Sequence, residues 1–443
     1  MKSTSYEVEE VRPDKAIVVS LVLKSSKMSE KTVNDSLAEL IALAETAGVE
    51  VVHEAVQSKD SVDSAWYIGK GKVLELRDVA AQLGANTAIF DQELTGAQVR
   101  NLERALDLKI IDRTQLILDI FAQRAKTKEG QLQVELAQLT YLLPRLSGHR
   151  VNLSRLGGGI GTRGPGETKL EMDRRHIRNR IHELRGALQE VKRHRLIHRE
   201  RRKKTGIVQA ALVGYTNAGK STLLNRLTGA DVFAVDKLFA TLDPTSRTLQ
   251  LPNGQEILLT DTVGFIQHLP HDLVAAFRAT LEEVGEADLI VHVVDSTSEM
   301  LERQMEVVEE VLQELGVYDK PRIVVLNKTD LLPDEQTRLW ASSSISAAES
   351  VRVSAFSEAS LESLKAAIQQ RLIGEMKRFR IPAGRGDLIS LIYRLGDVLE
   401  QEADGDIMRF TVRVKQNEYA KQGYLLDAFM ANEAIQAEGE ALQ

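Results

Sequence analysis

The amino-acid sequence contains no cysteine in its 443 residues. Disulfide bonds, thiolate-bound zinc, iron–sulfur clusters and a cysteine nucleophile are therefore excluded. Long apolar runs are also missing: the longest, residues 16–23, is interrupted by Ser20 and falls far short of the ~20 residues that span a bilayer. The first ten residues are polar and acidic, which is not the pattern of a secretory signal. We therefore expect a soluble, cytoplasmic protein, and its length favours about three domains.

The chain has 57 Lys and Arg against 64 Asp and Glu, which gives a net charge of −7, but the positive charge is concentrated in one segment. Residues 144–204 hold 18 Lys and Arg against six Asp and Glu, together with five of the nine histidines. A basic segment in an otherwise acidic chain is typical of a local contact with a polyanion. The alternative is a solvated, charged helix face. The one-sided excess favours RNA.

The first part of the chain, residues 14–128, alternates strand-like and helix-like patterns. Buried strands are predicted at residues 16–23, 49–56, 87–90 and 109–111, and helices at residues 30–47, from about residue 72, and at residues 94–106. Such a βαβ series predicts an N-terminal parallel α/β domain, with a parallel sheet covered by helices.

The middle segment, residues 129–205, is predicted to form an antiparallel helical hairpin. Leucines recur at helical spacings from Leu132 to Leu143, and apolar residues do so from Leu170 to Val191, so each stretch has one narrow apolar seam. Pro144 should kink or end the first helix. The connection, residues 156–167, has six glycines and one proline. It is predicted to bring backbone close to RNA, with a flexible linker as the alternative.

The predicted RNA contacts lie in and beside this glycine-rich connection. Arginine and lysine supply the charge that phosphate contacts require, and glycine leaves the backbone open to a partner. The predicted contacts are Arg155, Gly158, Arg163, Gly164, Lys169, Arg174, Arg175 and Arg178.

Two further units follow the hairpin. A second α/β series occupies residues 206–375. Residues 380–443 have one helical pattern, at about residues 387–401, and one alternating strand, at residues 408–414, which predict a small α+β C-terminal domain. The fold class is therefore predicted to be α/β and multidomain.

A phosphate-binding motif opens the second α/β series. Residues 214–221 read GYTNAGKS, which fits the pattern G-x-x-x-x-G-K-[ST] between a strand and a helix. Backbone N–H groups of such a loop surround the β-phosphate at the positive end of a helix. Lys220 is expected to contact the β- and γ-phosphate oxygens, and Ser221 is expected to place its hydroxyl on Mg²⁺.

Three more short motifs follow apolar strands in the same unit. Asp261 can hold Mg²⁺ through water, and the N–H of Gly264 can reach the γ-phosphate. Residues 327–330 (NKTD) end in a carboxylate, which can accept both hydrogen bonds from the N1–H and exocyclic amine of guanine. Adenine lacks this pair of donors, so the buried carboxylate would lose its partners. A backbone N–H at residues 354–355 can read the guanine carbonyl oxygen. The four motifs together predict a guanine-nucleotide site.

The order of these motifs resembles the translation-factor class of Ras-like P-loop GTPases, and finer features resemble the HflX family. These features are residues 67–71, 134–138, 157–167, 214–222, 239–244 and 261–270. The resemblance covers about residues 15–375. It implies a GTPase that binds the large ribosomal subunit and splits stalled or idle ribosomes, notably in heat stress.

The same resemblance implies further partners. It places the glycine-rich connection near the peptidyl-transferase region of the ribosomal RNA. It also implies that ATP binds in the N-terminal half, where residues 69–72 form a glycine–lysine cluster without P-loop spacing, so this second site is not placed. We expect the protein to be ribosome-associated and to be a monomer off the ribosome.

The resemblance also implies the roles of individual residues. Thr241 is the Mg²⁺-binding threonine of the first switch, with Thr245 as a rival from spacing alone. The metal site comprises Ser221, Thr241 and, through water, Asp261, and the catalytic residues are Lys220, Thr241 and Gly264. The predicted nucleotide contacts are Gly214, Tyr215, Thr216, Asn217, Ala218, Gly219, Lys220, Ser221, Thr222, Phe239, Ala240, Thr241, Leu242, Asp243, Asp261, Thr262, Val263, Gly264, Asn327, Lys328, Thr329, Asp330, Ser354, Ala355 and Phe356.

One expected residue type is missing directly after the motif D-x-x-G at residues 261–264, which we call the second switch. Many switch GTPases place a glutamine after the glycine of this motif to orient the attacking water, but this chain has Phe265 there. Gln267 and His268 are nearby alternatives. We expect slow intrinsic hydrolysis that the ribosome accelerates. A nucleotide-driven RNA-remodelling enzyme and a GTPase switch without RNA contact are the competing functions.

Overall fold

The computed structural model describes residues 14–25, 30–146, 165–205, 207–230, 238–267, 283–332, 350–373, 375–414, 419 and 422–430. Within these ranges the chain forms two α/β units, a helical hairpin between them and a C-terminal α+β unit. The predicted multidomain α/β fold class is thus confirmed. None of the described helices is both long and apolar enough to cross a membrane.

The N-terminal unit has a four-stranded sheet in the order β2-β1-β3-β4. All three strand pairs are parallel, as the βαβ pattern predicted. In chain order its elements are β1 (Lys15–Leu23), α1 (Glu30–Thr46), β2 (Glu50–Lys59), α2 (Lys70–Leu83), β3 (Thr87–Phe90), α3 (Gly96–Leu106), β4 (Lys109–Asp112) and α4 (Arg113–Arg124).

Alternation of side chains along β1 divides the core of this unit between the two faces of the sheet. Ala16 and Val18 pack in one cluster with residues of α1 and α4. Ile17 and Val19 pack in another cluster with residues of α2 and α3. The sheet therefore lies between two helical layers.

The middle segment forms two antiparallel helices, α5 (Lys128–Arg145) and α6 (Pro165–Thr205). Two ion pairs link them, from Arg180 to Glu135 and from Arg195 to Glu129, each at 2.7 Å. The pairing order shows that the helices run in opposite directions, which confirms the predicted hairpin. Helix α5 ends one residue after Pro144, as expected, and most of the glycine-rich connection lies outside the described residues.

The second α/β unit has a six-stranded sheet in the order β10-β9-β8-β5-β7-β6. Among the strands that the structure describes here, only the β6–β7 pair at one edge is antiparallel. Its described elements are β5 (Gln209–Val213), α7 (Lys220–Thr228), β6 (Thr245–Gln250), β7 (Glu256–Asp261), β8 (Leu289–Asp295), α8 (Leu301–Glu314), β9 (Arg322–Asn327), β10 (Ser350–Arg352) and α9 (Glu358–Ile373).

The C-terminal unit differs from its sequence prediction. The predicted helix at about residues 387–401 ends early, as α10 (Gly386–Leu395), and the chain continues as strand β12 (Gly396–Asp404). β12 and β11 (Glu375–Pro382) both pair antiparallel with β13 (Ile407–Val414). β11 begins before residue 380, where the sequence placed the start of this unit.

The two α/β units share one hydrophobic core. Leu40 of α1 and Phe121 of α4 belong to the same buried cluster as Phe239, Leu242 and Phe265 of the second unit. The rings of Phe121 and Phe239 meet edge to face, with centroids 4.7 Å apart. The loops that follow α7 and β7 therefore pack directly on the N-terminal unit.

Candidate nucleotide-binding site

The loop between β5 and α7 has the form of a phosphate cradle. β5 ends at Val213, and α7 begins at Lys220 after Gly219. The first N–H groups of a helix have no partner inside the helix and carry the positive end of its dipole. The start of α7 is therefore suited to bind an anion.

Lys220 is buried at this position. Its Nζ donates to the carbonyl oxygens of Gly214 and Tyr215 at 3.0 and 2.8 Å. Burial lowers the pKa of Lys220 to about 8, and the charge of Asp261 opposes this shift. A bound triphosphate would favour the charged lysine, because a nearby opposite charge raises the pKa of an amine.

Three oxygen-bearing side chains meet beside Lys220. The hydroxyl of Ser221 lies 2.7 Å from that of Thr241 and donates to Oδ2 of Asp261 at 2.6 Å. The other oxygen of Asp261, Oδ1, is buried without a hydrogen-bond partner among the described residues. Hard oxygen ligands of this kind suit Mg²⁺, so the residues present fit the ion. Burial raises the pKa of Asp261, whereas the charge of Lys220 lowers it.

Gly264 brings the second switch close to this cluster. A Cβ atom at this position would lie 2.8 Å from Cα of Thr216 and 3.1 Å from Nζ of Lys220, so a side chain here would displace the loop. Phe265 is only 1% exposed, and its N–H donates to the carbonyl of Gly214 at 3.1 Å. Its ring lies in the shared core, where it supplies no polar group to a nucleotide.

The predicted base-reading residues are tied to the phosphate loop. Asn327, at the end of β9, is buried and its Nδ2 donates to the carbonyl of Ala218 at 2.9 Å. Nζ of Lys328 lies 2.7 Å from a carboxylate oxygen of Asp295. Asp330 follows in a short 3₁₀ turn, where it is exposed to solvent and a base can approach it.

The loop after β10 lies beside this turn. The N–H of Thr329 donates to the carbonyl of Val353 at 3.3 Å, and Oγ of Ser354 accepts from the N–H of Phe356 at 3.2 Å. The ring of Phe356 is 70% exposed, and the guanidinium of Arg226 lies 5.1 Å from its centroid. The structure therefore brings the first, third and fourth motifs to one edge of the sheet.

Three residues of the site that are not glycine have left-handed backbone angles. Their φ values are +61° for Asn217, +52° for Phe239 and +61° for Lys328. Residues other than glycine rarely adopt this backbone conformation. Those that do are frequent at functional sites, where the surrounding structure holds them in place. The sequence motifs gave no sign of this feature.

The structure brings many of the predicted nucleotide contacts to one pocket and places others elsewhere. The pocket is lined by Thr216, Asn217, Gly219, Lys220, Ser221, Thr222, Phe239, Ala240, Thr241, Thr262 and Gly264. Leu242 and Val263 lie in the shared hydrophobic core. The carboxylate of Asp243 contacts the start of α5. Of the two rival threonines, Thr241 lies beside Ser221, whereas Thr245 begins β6.

A buried polar network that sequence reasoning missed holds Tyr215 of the phosphate loop. Its hydroxyl donates to Glu39 of α1, which also pairs with Arg113 of α4. Arg113 in turn lies 2.9 Å from Asp91. Glu39 lies among apolar residues of α1, and neither periodicity nor a motif distinguishes it as a contact to the other unit.

The predicted RNA contacts are only partly visible. Arg175 and Arg178 are exposed on α6, and Arg174 is half-buried. For Lys169 only the helical backbone is described. The other four lie outside the described residues; they are Arg155, Gly158, Arg163 and Gly164. An RNA interface therefore stays a prediction.

Family models match three successive parts of the chain. Residues 34–122 match a GTP-binding GTPase N-terminal domain, and residues 124–202 match the middle region of GTP-binding GTPases. Residues 209–328 match a model described as a 50S ribosome-binding GTPase. The three matches follow the N-terminal unit, the hairpin and the second α/β unit.

Curated relatives match nearly the whole chain. The GTPase HflX of Caldanaerobacter subterraneus is 51% identical over 402 residues, which is 90% of each chain. The GTPase HflX of Lacrimispora saccharolytica is 47% identical over 96% of this chain and 98% of its own. The GTPase HflX of Escherichia coli K12 is 43% identical over 89% of this chain and 92% of its own.

Proposed function

Because the chain belongs to the HflX family of GTPases, we propose that its nucleotide state controls association with the large ribosomal subunit. In the GTP-bound state it binds the subunit and thereby splits stalled or idle ribosomes under stress; hydrolysis then releases it. The observation that carries the proposal is the match of residues 209–328 to the 50S ribosome-binding GTPase model. The exposed arginines of α6 support it, because phosphate contacts need such charge.

The geometry of the pocket supports GTP hydrolysis by positioning and charge. Lys220 would contact the β- and γ-phosphate oxygens, and the N–H of Gly264 would contact the γ-phosphate. Mg²⁺, held by Ser221, Thr241 and, through water, Asp261, would neutralise charge on the β- and γ-phosphate oxygens. Thr241 would engage the ion only while the γ-phosphate is present, so its segment would order with GTP and loosen after hydrolysis.

Phe265 supports a slow intrinsic rate. Its buried ring cannot orient a water molecule, and the nearby Gln267 is itself buried, with its backbone N–H donating to the hydroxyl of Tyr215 at 2.8 Å. The other nearby candidate, His268, lies outside the described residues. We infer that the ribosome reorders the switches or supplies a group in trans, and so accelerates hydrolysis.

Splitting then requires only linkage between two binding equilibria. If the GTP-bound form binds the large subunit more tightly than the GDP-bound form, the bound factor can displace the small subunit from a shared contact. Hydrolysis resets the factor. A non-hydrolysable GTP analogue should therefore still split ribosomes, and a strict need for hydrolysis would overturn this order of events.

Co-sedimentation with separated ribosomal subunits tests the proposal. The full chain is mixed with large or small subunits in the presence of a GTP analogue, GDP or no nucleotide. We expect sedimentation with the large subunit under the analogue, much less under GDP, and little with the small subunit. Equal sedimentation in all three nucleotide conditions, or none in any, would overturn nucleotide-controlled binding.

A further inference from the structure

Asp243 links the nucleotide pocket to the helical hairpin. Its Oδ2 accepts from the N–H groups of Lys126 and Thr127 at 2.8 and 2.9 Å, and its Oδ1 accepts from Oγ1 of Thr127 at 2.5 Å. Thr127 is the N-cap residue of α5. One carboxylate from the second α/β unit thus satisfies backbone donors just before the first helix of the hairpin.

Gly130 in the first turn of α5 leaves space for this carboxylate. A Cβ atom at Gly130 would lie 2.3 Å from Oδ1 of Asp243. The N–H of Gly130 donates to Oγ1 of Thr127 at 3.0 Å. Glycine is a poor helix former, so helix propensity does not explain why it stands in α5. The close approach of the Asp243 carboxylate does explain it, because only glycine leaves room for that group.

The other end of the same short segment reaches the pocket. Thr241 lies two positions before Asp243, with its hydroxyl 2.7 Å from that of Ser221 at the proposed Mg²⁺ position. Between them, Leu242 is 2% exposed in the shared core. Phe239 packs on Phe121 of α4. We call residues 239–243 the switch segment.

The side chains of the switch segment thus divide their contacts between two bodies. Thr241 lies in the nucleotide pocket beside Ser221, whereas Asp243 contacts the start of α5. Phe239 does both, because it lines the pocket and packs on Phe121 of the N-terminal unit. A segment this short cannot move at Thr241 without straining its contact at Asp243, because consecutive Cα atoms are only about 3.8 Å apart.

We propose that Asp243 is a positioning residue that couples the nucleotide state to the hairpin by docking the switch segment on the start of α5. Engagement of Thr241 with Mg²⁺–GTP and docking of Asp243 on α5 stabilise each other. The coupling is reciprocal. If GTP shifts the docking equilibrium of Asp243 on α5 by a given factor relative to GDP, then a partner that holds α5 in the docked position raises the affinity for GTP relative to GDP by the same factor. The inference rests on the proposed function, since it requires Mg²⁺–GTP to occupy the pocket.

The glycines of the hairpin provide a matched pair of test variants. Gly130→Ala improves the helix propensity of α5 but places a methyl group where the Asp243 carboxylate lies. Gly186→Ala makes the same change in α6, where a Cβ atom would meet nothing within 4 Å. Both variants, the wild type and Asp243→Asn are studied as full chains with Mg²⁺ and no ribosomes.

The first readout is hydrogen exchange at the amides of Lys126 and Thr127. In the wild type and in Gly186→Ala we expect exchange to be about fivefold slower with a GTP analogue than with GDP. This factor corresponds to the free energy that is typically lost when a helix N-cap is removed. In Gly130→Ala and Asp243→Asn this nucleotide-dependent difference should vanish. A merely structural role for Asp243 would change exchange equally with both nucleotides, and that result would overturn the proposal.

The second readout is nucleotide affinity. Gly130→Ala should weaken binding of the GTP analogue about fivefold and leave the affinity for GDP unchanged, while Gly186→Ala should change neither. If Gly130→Ala and Gly186→Ala give the same values in both readouts, the coupling is wrong. Failure of the wild type to bind guanine nucleotides would instead overturn the nucleotide site itself, so the two failures are distinguishable.

Discussion

Tyr215 of the phosphate loop donates a hydrogen bond to the buried carboxylate of Glu39 in α1. The same hydroxyl accepts from the N–H of Gln267 at 2.8 Å. Burial raises the pKa of Glu39, whereas its ion pair with Arg113 and its bond from Tyr215 lower it. One phenol group therefore connects the N-terminal unit, the phosphate loop and the second switch.

Removal of this hydroxyl should destabilise the whole chain. Tyr215→Phe leaves the N–H of Gln267 and the carboxylate of Glu39 buried without this partner. We expect the free energy of unfolding to fall by about 1–3 kcal/mol, the cost of an unsatisfied buried polar group. Urea denaturation at neutral pH measures the change.

Tyr393→Phe provides the control for this change. The hydroxyl of Tyr393 also donates to a side chain, that of Gln401, but Tyr393 is 54% exposed, so water can replace the lost bond. We expect a change within about 0.5 kcal/mol. Equal losses in the two variants would show that the bond to Glu39 has no special role.

Asp330 should determine the preference for guanine. In Asp330→Asn the carboxylate that accepts two hydrogen bonds from guanine becomes an amide that accepts at only one atom. We expect the affinity for GTP to fall about 100-fold or more, since hydrogen bonds to charged groups contribute about 1.5–3 kcal/mol each. Affinity for xanthosine triphosphate should rise, because the amide can donate to the oxygen that replaces the guanine amine.

Calorimetric titration of the variant with both nucleotides measures this exchange of preference. Asp319→Asn, an exposed position in the loop after α8, removes the same charge and should retain the wild-type affinity for GTP. Unchanged GTP binding in Asp330→Asn would show that another group reads the base.

His292 should make folding sensitive to acid. Burial in β8 lowers the pKa of His292 to about 3, and the charges of Arg322 and Lys220 act in the same direction. In the unfolded chain His292 takes up a proton near pH 6.5, whereas in the folded chain it stays neutral until about pH 3. The folded state therefore keeps its full stability with respect to this group above pH 6.5, and loses stability as the pH falls from 6.5 toward 3. Each pH unit below 6.5 should cost up to about 1.4 kcal/mol of stability.

Urea denaturation of the wild type and His292→Leu between pH 7 and pH 4 isolates this effect. The variant has no imidazole to protonate, so its stability should decline less steeply with acid than that of the wild type. A stability difference between the two proteins that stays constant over this range would contradict the prediction.

Three arginines of α6, two exposed and one half-buried, should contribute to ribosome binding and not to nucleotide binding. Replacing Arg174, Arg175 and Arg178 with alanine removes charge outside the pocket. We expect weaker co-sedimentation with large subunits and a shallower dependence of binding on salt, because fewer counterions are released from RNA. Affinity for GTP should stay near that of the wild type.

A charge-matched triple variant controls for the loss of positive charge alone. Arg77, Arg104 and Arg303 are exposed on α2, α3 and α8, and their replacement with alanine should leave both co-sedimentation and its salt dependence unchanged. If the two triple variants weaken subunit binding equally, the arginines of α6 have no specific role.

Local patterns predicted much of the fold. The βαβ series, the hairpin and the phosphate loop each depend on residues close together in sequence, where periodicity and motif spacing carry the signal. Residues 396–401 were wrongly assigned to a helix, because their leucine, glutamate and glutamine favour helices. Pairing with β13, for example of Val398 with Val412, outweighs that preference.

Contacts between the two α/β units could not be predicted from local patterns. Asp243 follows the switch threonine in a motif that suggests a nucleotide contact, yet its partner Thr127 lies 116 residues away. Glu39 and Tyr215 are separated by 176 residues. Only the three-dimensional arrangement shows that these polar side chains join the two units.

The rate of GTP hydrolysis with and without purified large ribosomal subunits tests the central claim most directly. The full chain is assayed with Mg²⁺ and saturating GTP, alone and with increasing amounts of large or small subunits. We predict slow hydrolysis by the isolated chain, because Phe265 cannot orient water, and a large acceleration by the large subunit alone. A rate that is already high for the isolated chain and does not change with large subunits would contradict it.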